Sequence, residues 1–165
     1  MVLLSLIQPE WHRRFKMATN TLLQSLNDSA NQATSGSSNR RQVETFLASA
    51  AIAANDLVCL DITKTADSDK ALFIKKADTT TGATIVAIGF ALNAAADAGD
   101  EVRVTIAGVH ESAATSASAV GMRLMASSTA GRAIDYTGTA TVPPIAYAVE
   151  VHTANVATVI VIKQI

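Results

Sequence analysis

Few residues in this chain have side chains suited to chemistry. They are three histidines (His12, His110 and His152), one cysteine (Cys59) and a carboxylate cluster at Asp97, Asp100 and Glu101. His110 stands next to Glu111, an imidazole beside a carboxylate. Neighbouring residues on a strand point to opposite faces, so this pair alone is a poor metal chelator. "DAGDE", residues 97–101, gathers oxygen donors but lacks the longer alternating spacing of a calcium loop. Asp and Gly together make tight turns, and a turn is the expectation here. Cys59 has no second cysteine to pair with and sits in the apolar run "DLVCLDI", where it reads as a small buried hydrophobe. The chain has no G-x-S-x-G elbow, no G-x-x-x-x-G-K-[ST] loop, no H-E-x-x-H and no cysteine pair. The expectation is a protein that is not an enzyme and uses no cofactor and no metal.

A different kind of site is suggested near the N-terminus, in "MVLLSLIQPEWHRRFK". Basic and aromatic residues alternate there as in nucleic-acid contacts, but three cations make a weak electrostatic footprint, so direct nucleic-acid binding is not expected. The favoured reading is a protein-binding arm. Trp11 and Phe15 would anchor in pockets of a partner and Arg13 and Arg14 would meet carboxylates, with Leu3, Leu4, Leu6 and Ile7 adding apolar contact. Charge supports a division here: through residue 42 there are five basic residues against two acidic, and beyond it eight against twelve. A basic arm with room for a short helix through Leu22, Leu23 and Leu26 would precede an acidic body, the boundary falling at a Ser/Gly/Asn linker (1–42, then 43–165). Met17 is an alternative initiator. The longest apolar runs fall short of a membrane span, and the N-terminus lacks the features of a secretory signal, so synthesis in a cytoplasm with no membrane partner is expected.

The body must position whatever sites exist, and its residues favour β-structure. Hydrophobic residues make up 49% of the chain and aromatics only 4%, so the core is built from Ala, Val, Ile and Leu. Eight short runs, "DLVCLDI", "KALFIKKA", "TIVAIGFAL", "EVRVTIAGV", "MRLMA", "RAIDY", "PIAYAVEV" and "ATVIVIKQI", are bounded by turn residues and read as strands of a small β-barrel or β-sandwich. "ALNAAADA" is the one rival helix, and its length allows at most a turn. The chain also repeats itself. "IGFALNAAADAGDEVRVTI" from Ile88 lies over "IAYAVEVHTANVATVIVI" from Ile145, placing Phe90 over Tyr147, Val102 over Val159 and Val104 over Val161 without a gap. "SAAIAANDLVCL" likewise matches "SASAVGMRLMA". Two copies of a unit of about sixty residues argue for one domain of two similar halves rather than a solenoid.

"IVAIGFALNAAADAGDEVRVTIAGV", "GMRLMASSTAGRAI" and "PPIAYAVEV" followed by "ATVIVI" resemble the tailed-bacteriophage capsid decoration, or cement, proteins over roughly residues 46–165. The resemblance implies a structural virion protein whose β-body sits on the outer capsid surface. It would bind where subunits of the major capsid protein meet, as a homotrimer, with a dimer as the alternative. Synthesis would take place in the bacterial host cytoplasm. The competing reading is a receptor- or carbohydrate-binding β-module of a phage fibre or tail. That module needs aromatic platforms, and the chain offers only Trp11, Tyr136 and Tyr147 besides its phenylalanines. A hydrolase would need a nucleophile and base pair that the sequence does not display.

Overall fold

A computed structural model of the chain describes residues 41–79, 86–138 and 143–163. The chain divides into two units, Met1–Asn39 and Arg40–Ile165, and all described residues belong to the second. Nine strands and one short helix follow in order: β1 (Gln42–Ala48), β2 (Leu57–Leu60), α1 (Asp67–Leu72), β3 (Phe73–Lys76), β4 (Ala87–Ala91), β5 (Glu101–Ala117), β6 (Arg123–Ala126), β7 (Ala133–Asp135), β8 (Ala146–Ala148) and β9 (Val156–Val161). They form one nine-stranded sheet in the order β1-β3-β2-β4-β5-β7-β6-β8-β9, with further pairings of β1 and of β9 to β5. The all-β expectation therefore holds. The extra pairings bring each half back to the long central strand, but the ladders are short and broken by register shifts, so no regular barrel forms.

The duplication is visible in the pairing. Starting from β1, the first half runs parallel to β3, then antiparallel through β2, β4 and the start of β5, which returns antiparallel to β1. Starting from the later part of β5, the second half runs parallel to β7, then antiparallel through β6, β8 and β9, which returns antiparallel to β5. β5 thus serves as the last strand of one half and the first of the other. It changes role at Gly108, where φ is +89°, a conformation that glycine adopts without a Cβ clash. Asn55 and Gly121, both with positive φ, occupy corresponding turns ahead of β2 and β6.

The gapless alignment of the halves needs one correction. Ala91 pairs with Val104 and Ala148 with Val159, so the hairpin encloses residues 92–103 in the first half and only 149–158 in the second. Val104 therefore corresponds to Val159 and Ile106 to Val161. The shift is two residues, which leaves every side chain on its original face. All four are buried.

Two other expectations change. "KALFIKKA" is not one strand: Asp67–Leu72 turns as α1 and the strand begins at Phe73. Asp67 and Asp69 in the first turn suit the free N–H groups of a helix start, and Lys70 Nζ lies 2.7 Å from Asp67 one turn on. "ALNAAADA" forms no helix; Ala95 instead exchanges two backbone hydrogen bonds with Ile52, of 2.9 and 3.0 Å.

Two apolar clusters form the core. One fills the first half around Phe46, Val58, Ile74, Ile88, Val102 and Val104. The other joins the interior of the second half (Leu124, Ile145, Val159, Val161) to residues of β2 and β4, namely Leu57, Cys59 and Phe90. All five residues of β4 are buried, as in a strand covered on both faces. Close packing there depends on Gly89, because a Cβ at that position would overlap the Thr105 carbonyl.

Candidate interaction surfaces

The halves meet at His110, which lies on β5 just beyond the bend at Gly108. Its ring is buried and stacks on Phe90 of β4, with centroids 5.3 Å apart. Nε2 lies 3.2 Å from Asn55 Oδ1, and Nδ1 lies 3.1 Å from Thr105 Oγ1. With the Asn55 oxygen as acceptor, Nε2 carries the proton and Nδ1 accepts from the Thr105 hydroxyl. Burial, aided by the charge of Arg41, pushes the imidazole pKa down to about 4. A neutral, doubly hydrogen-bonded histidine of this kind fastens structure together. Glu111 is exposed and takes no part.

The rest of the seat is backbone. Leu57 N–H donates to the Gly131 carbonyl (2.6 Å), Gly131 N–H to that of Ala77 (2.9 Å), Thr79 N–H to that of Ser127 (3.2 Å) and Ala114 N–H to that of Asn55 (3.0 Å). The second half thus places β5 and its β6–β7 turn over β2 and β4 of the first. Asp56, whose carboxylate accepts from Ala53 N–H at 2.8 Å and meets Lys76 Nζ at 3.1 Å, lies directly beneath Gly131.

Several other titratable groups have structural partners. Asp61 is buried, and burial alone would raise its pKa. Hydrogen bonds from Thr63, Ser49 and Lys75 outweigh that and hold the carboxyl well below the usual carboxylate range. Asp100 caps the turn at residues 97–101 by accepting from Ala96 N–H (2.9 Å) and Asp97 N–H (3.0 Å), as the turn reading of "DAGDE" requires. His152 Nδ1 lies 2.7 Å from Thr115 Oγ1. Cys59 is buried, and its thiol is pushed up to about 11, chiefly by desolvation. Among the described residues, no three His, Cys, Asp or Glu side chains are grouped to hold a metal ion.

The surface has a stronger functional signal. Among the described residues, seven large apolar side chains of the second half are more than a third exposed: Val120, Met122, Tyr147, Val149, Val151, Val156 and Ile160. Tyr147 and Ile160 sit opposite each other across β8 and β9, and Tyr147 is also paired with Arg123 of β6, whose guanidinium lies 5.9 Å from the Tyr147 ring centroid. A shallow cleft of about 290 Å³ adjoins them, with Ser112, Glu150, Val151, Thr153, Val156 and Thr158 in its wall. Three more exposed apolar residues, Val43, Ile62 and Leu72, lie on β1 and the β2–β3 connection. Apolar exposure of this kind, where it is contiguous, marks surfaces at which proteins meet partners. The arm residues singled out from sequence, Leu3, Leu4, Leu6, Ile7, Trp11, Arg13, Arg14 and Phe15, lie outside the described residues. The exposed face was missed because it repeats a pattern that is buried in the other half.

No protein-family model and no curated protein matches the chain. Among solved structures it is similar in fold to the crystal structure of the N base of head fibre gp8.5 of bacteriophage phi29. The TM-score is 0.52 and the identity 21%, over 74% of this chain and 94% of that one.

Proposed function

We propose that this protein is a structural, non-catalytic component of a phage virion, attached through its β-domain to the outside of the head. The observation that carries the reading is the fold shared with the base of a phage head fibre, which spans nearly all of that chain. The ten large apolar side chains exposed among the described residues support it, because exposed apolar surface gains from being covered by other subunits. In the decoration form of the reading, the protein bridges neighbouring coat subunits and stabilises the assembled shell, since a ligand that binds only the lattice shifts assembly by mass action. Linking copies into a homo-oligomer, a trimer in the resemblance drawn from sequence, would join several weak contacts into one firm attachment. The fibre form is the second reading of the same virion role. In it the β-domain would form the base of a head fibre, the part named in the neighbour's description.

Co-sedimentation with expanded, undecorated capsids, scored against free coat protein, tests the common core of both forms. Saturable binding to capsids is expected. Absence of binding would overturn the reading. A chain lacking residues 1–42 should bind more weakly if the arm clasps the coat, and undiminished binding would remove the arm's role.

A further inference from the structure

The two halves of the domain are equivalent in topology but not in exposure. Phe90 corresponds to Tyr147, Thr105 to Ile160, Leu57 to Arg123, and Asp56 to Met122. In the first half all four positions are buried, and in the second all four are exposed. The first-half face is covered by the second half, through β5 beyond Gly108 and the β6–β7 turn. The first half has its own counterparts of those covering elements, β1 and the β2–β3 connection. These carry Val43, Ile62 and Leu72, while Met122, Tyr147 and Ile160 lie on the uncovered face and Val120, Val149, Val151 and Val156 flank it in sequence, before β6 and from the end of β8 to the start of β9.

We infer that the β6–β8–β9 face of one copy receives β1 and the β2–β3 connection of a second copy, repeating between chains the seat that joins the two halves within one. The internal interface defines the occupant, since the equivalent face is already covered by a unit of the same fold. The contact is heterologous, with different surfaces on its two sides, so it closes into a ring or continues as a chain and does not form a two-fold pair. It deepens the self-association in the proposed virion role and rests on that reading for its purpose.

The test needs no capsids. Sedimentation velocity of the full chain, from micromolar to millimolar concentration, should show association into multiples of 17.1 kDa. A face variant (Tyr147→Glu with Ile160→Glu) and a cover variant (Ile62→Glu with Leu72→Glu) should each be monomeric. Circular dichroism should be unchanged and the melting temperature lowered by only a few degrees, because the substituted side chains are each more than a third exposed. Mixing the two variants should restore a one-to-one complex, since one retains an intact cover and the other an intact face. A wild-type chain that stays monomeric would overturn the inference and leave the face to residues 1–40 or to another protein. So would association that survives either variant, or a mixture that forms no complex. Capsid binding by a monomeric chain would sink this inference alone and leave the virion role standing.

Discussion

His110 makes the stability of the domain depend on pH with a predictable sign and size. Its pKa falls from an ordinary value of about 6.5 to about 4 on folding, because the ring is buried against Phe90 and is subject to the positive charge of Arg41. Above the ordinary value the ring is neutral in both states. As pH falls, the unfolded chain takes up the proton first, so stability is present above about 6.5 and is lost progressively as pH falls through the folded value. Linkage over that window gives a loss of about 2.5 kcal/mol between roughly pH 7.5 and 4.5. Asp61, also held low, acts in the same direction but at lower pH, and it is common to any variant used for comparison. The perturbation is His110→Gln, whose amide can still meet Thr105 and Asn55 but does not titrate. Urea unfolding across this range should find the variant less stable at neutral pH, with the deficit shrinking by about 2.5 kcal/mol on acidification. A deficit constant with pH would refute the reasoning.

Gly89→Ala forces a Cβ into the Thr105 carbonyl and should cost more than about 3 kcal/mol, whereas Ala146→Gly at the corresponding site should cost about 1 kcal/mol; urea denaturation compares them. Phe90→Ala removes a buried, stacked ring and should cost about 3–5 kcal/mol, while Tyr147→Ala, with the tyrosine 38% exposed, should cost less than about 1.5 kcal/mol in the monomer. Cys59, buried with its thiol raised to about 11, should resist alkylation at neutral pH in the folded protein and react promptly in denaturant, as mass spectrometry would show.

Much of the fold can be read from the residues because its strands alternate or are uniformly apolar. In β9, "VATVIV" buries Ala157, Val159 and Val161 at every second position. The later part of β5, "HESAATSA", could not be read in this way. It has no bulky β-formers, and it is a strand because β7 and β9 supply partners on both sides, which no local pattern encodes. α1 was hidden for the opposite reason, since a six-residue helix depends on its charged first turn rather than on any apolar period. His110 was visible as a residue with chemical potential, but its actual role depends on Asn55, fifty-five positions earlier in the chain.

The differences between the repeats are more informative about function than their similarities. Ile88 and Ile145, Ala91 and Ala148, and Val104 and Val159 match because both interiors must be filled, and they specify only a fold. The divergent pairs lie on one face: the buried polar Asp56 and Thr105 give way to the exposed apolar Met122 and Ile160, and the two buried apolar members give way to amphipathic ones. Leu57 becomes Arg123 and Phe90 becomes Tyr147, so purely apolar side chains sealed inside the domain are replaced by side chains that are apolar along their bodies and polar at their tips. A permanently buried face gains nothing from a phenol and a guanidinium that need water or a partner. A face that stands in solvent before it is covered needs both properties, and tyrosine and arginine are the residues that protein interfaces favour for this reason. The second half therefore keeps the shape of a surface that is covered in the first half and has changed its chemistry to suit one that must survive uncovered.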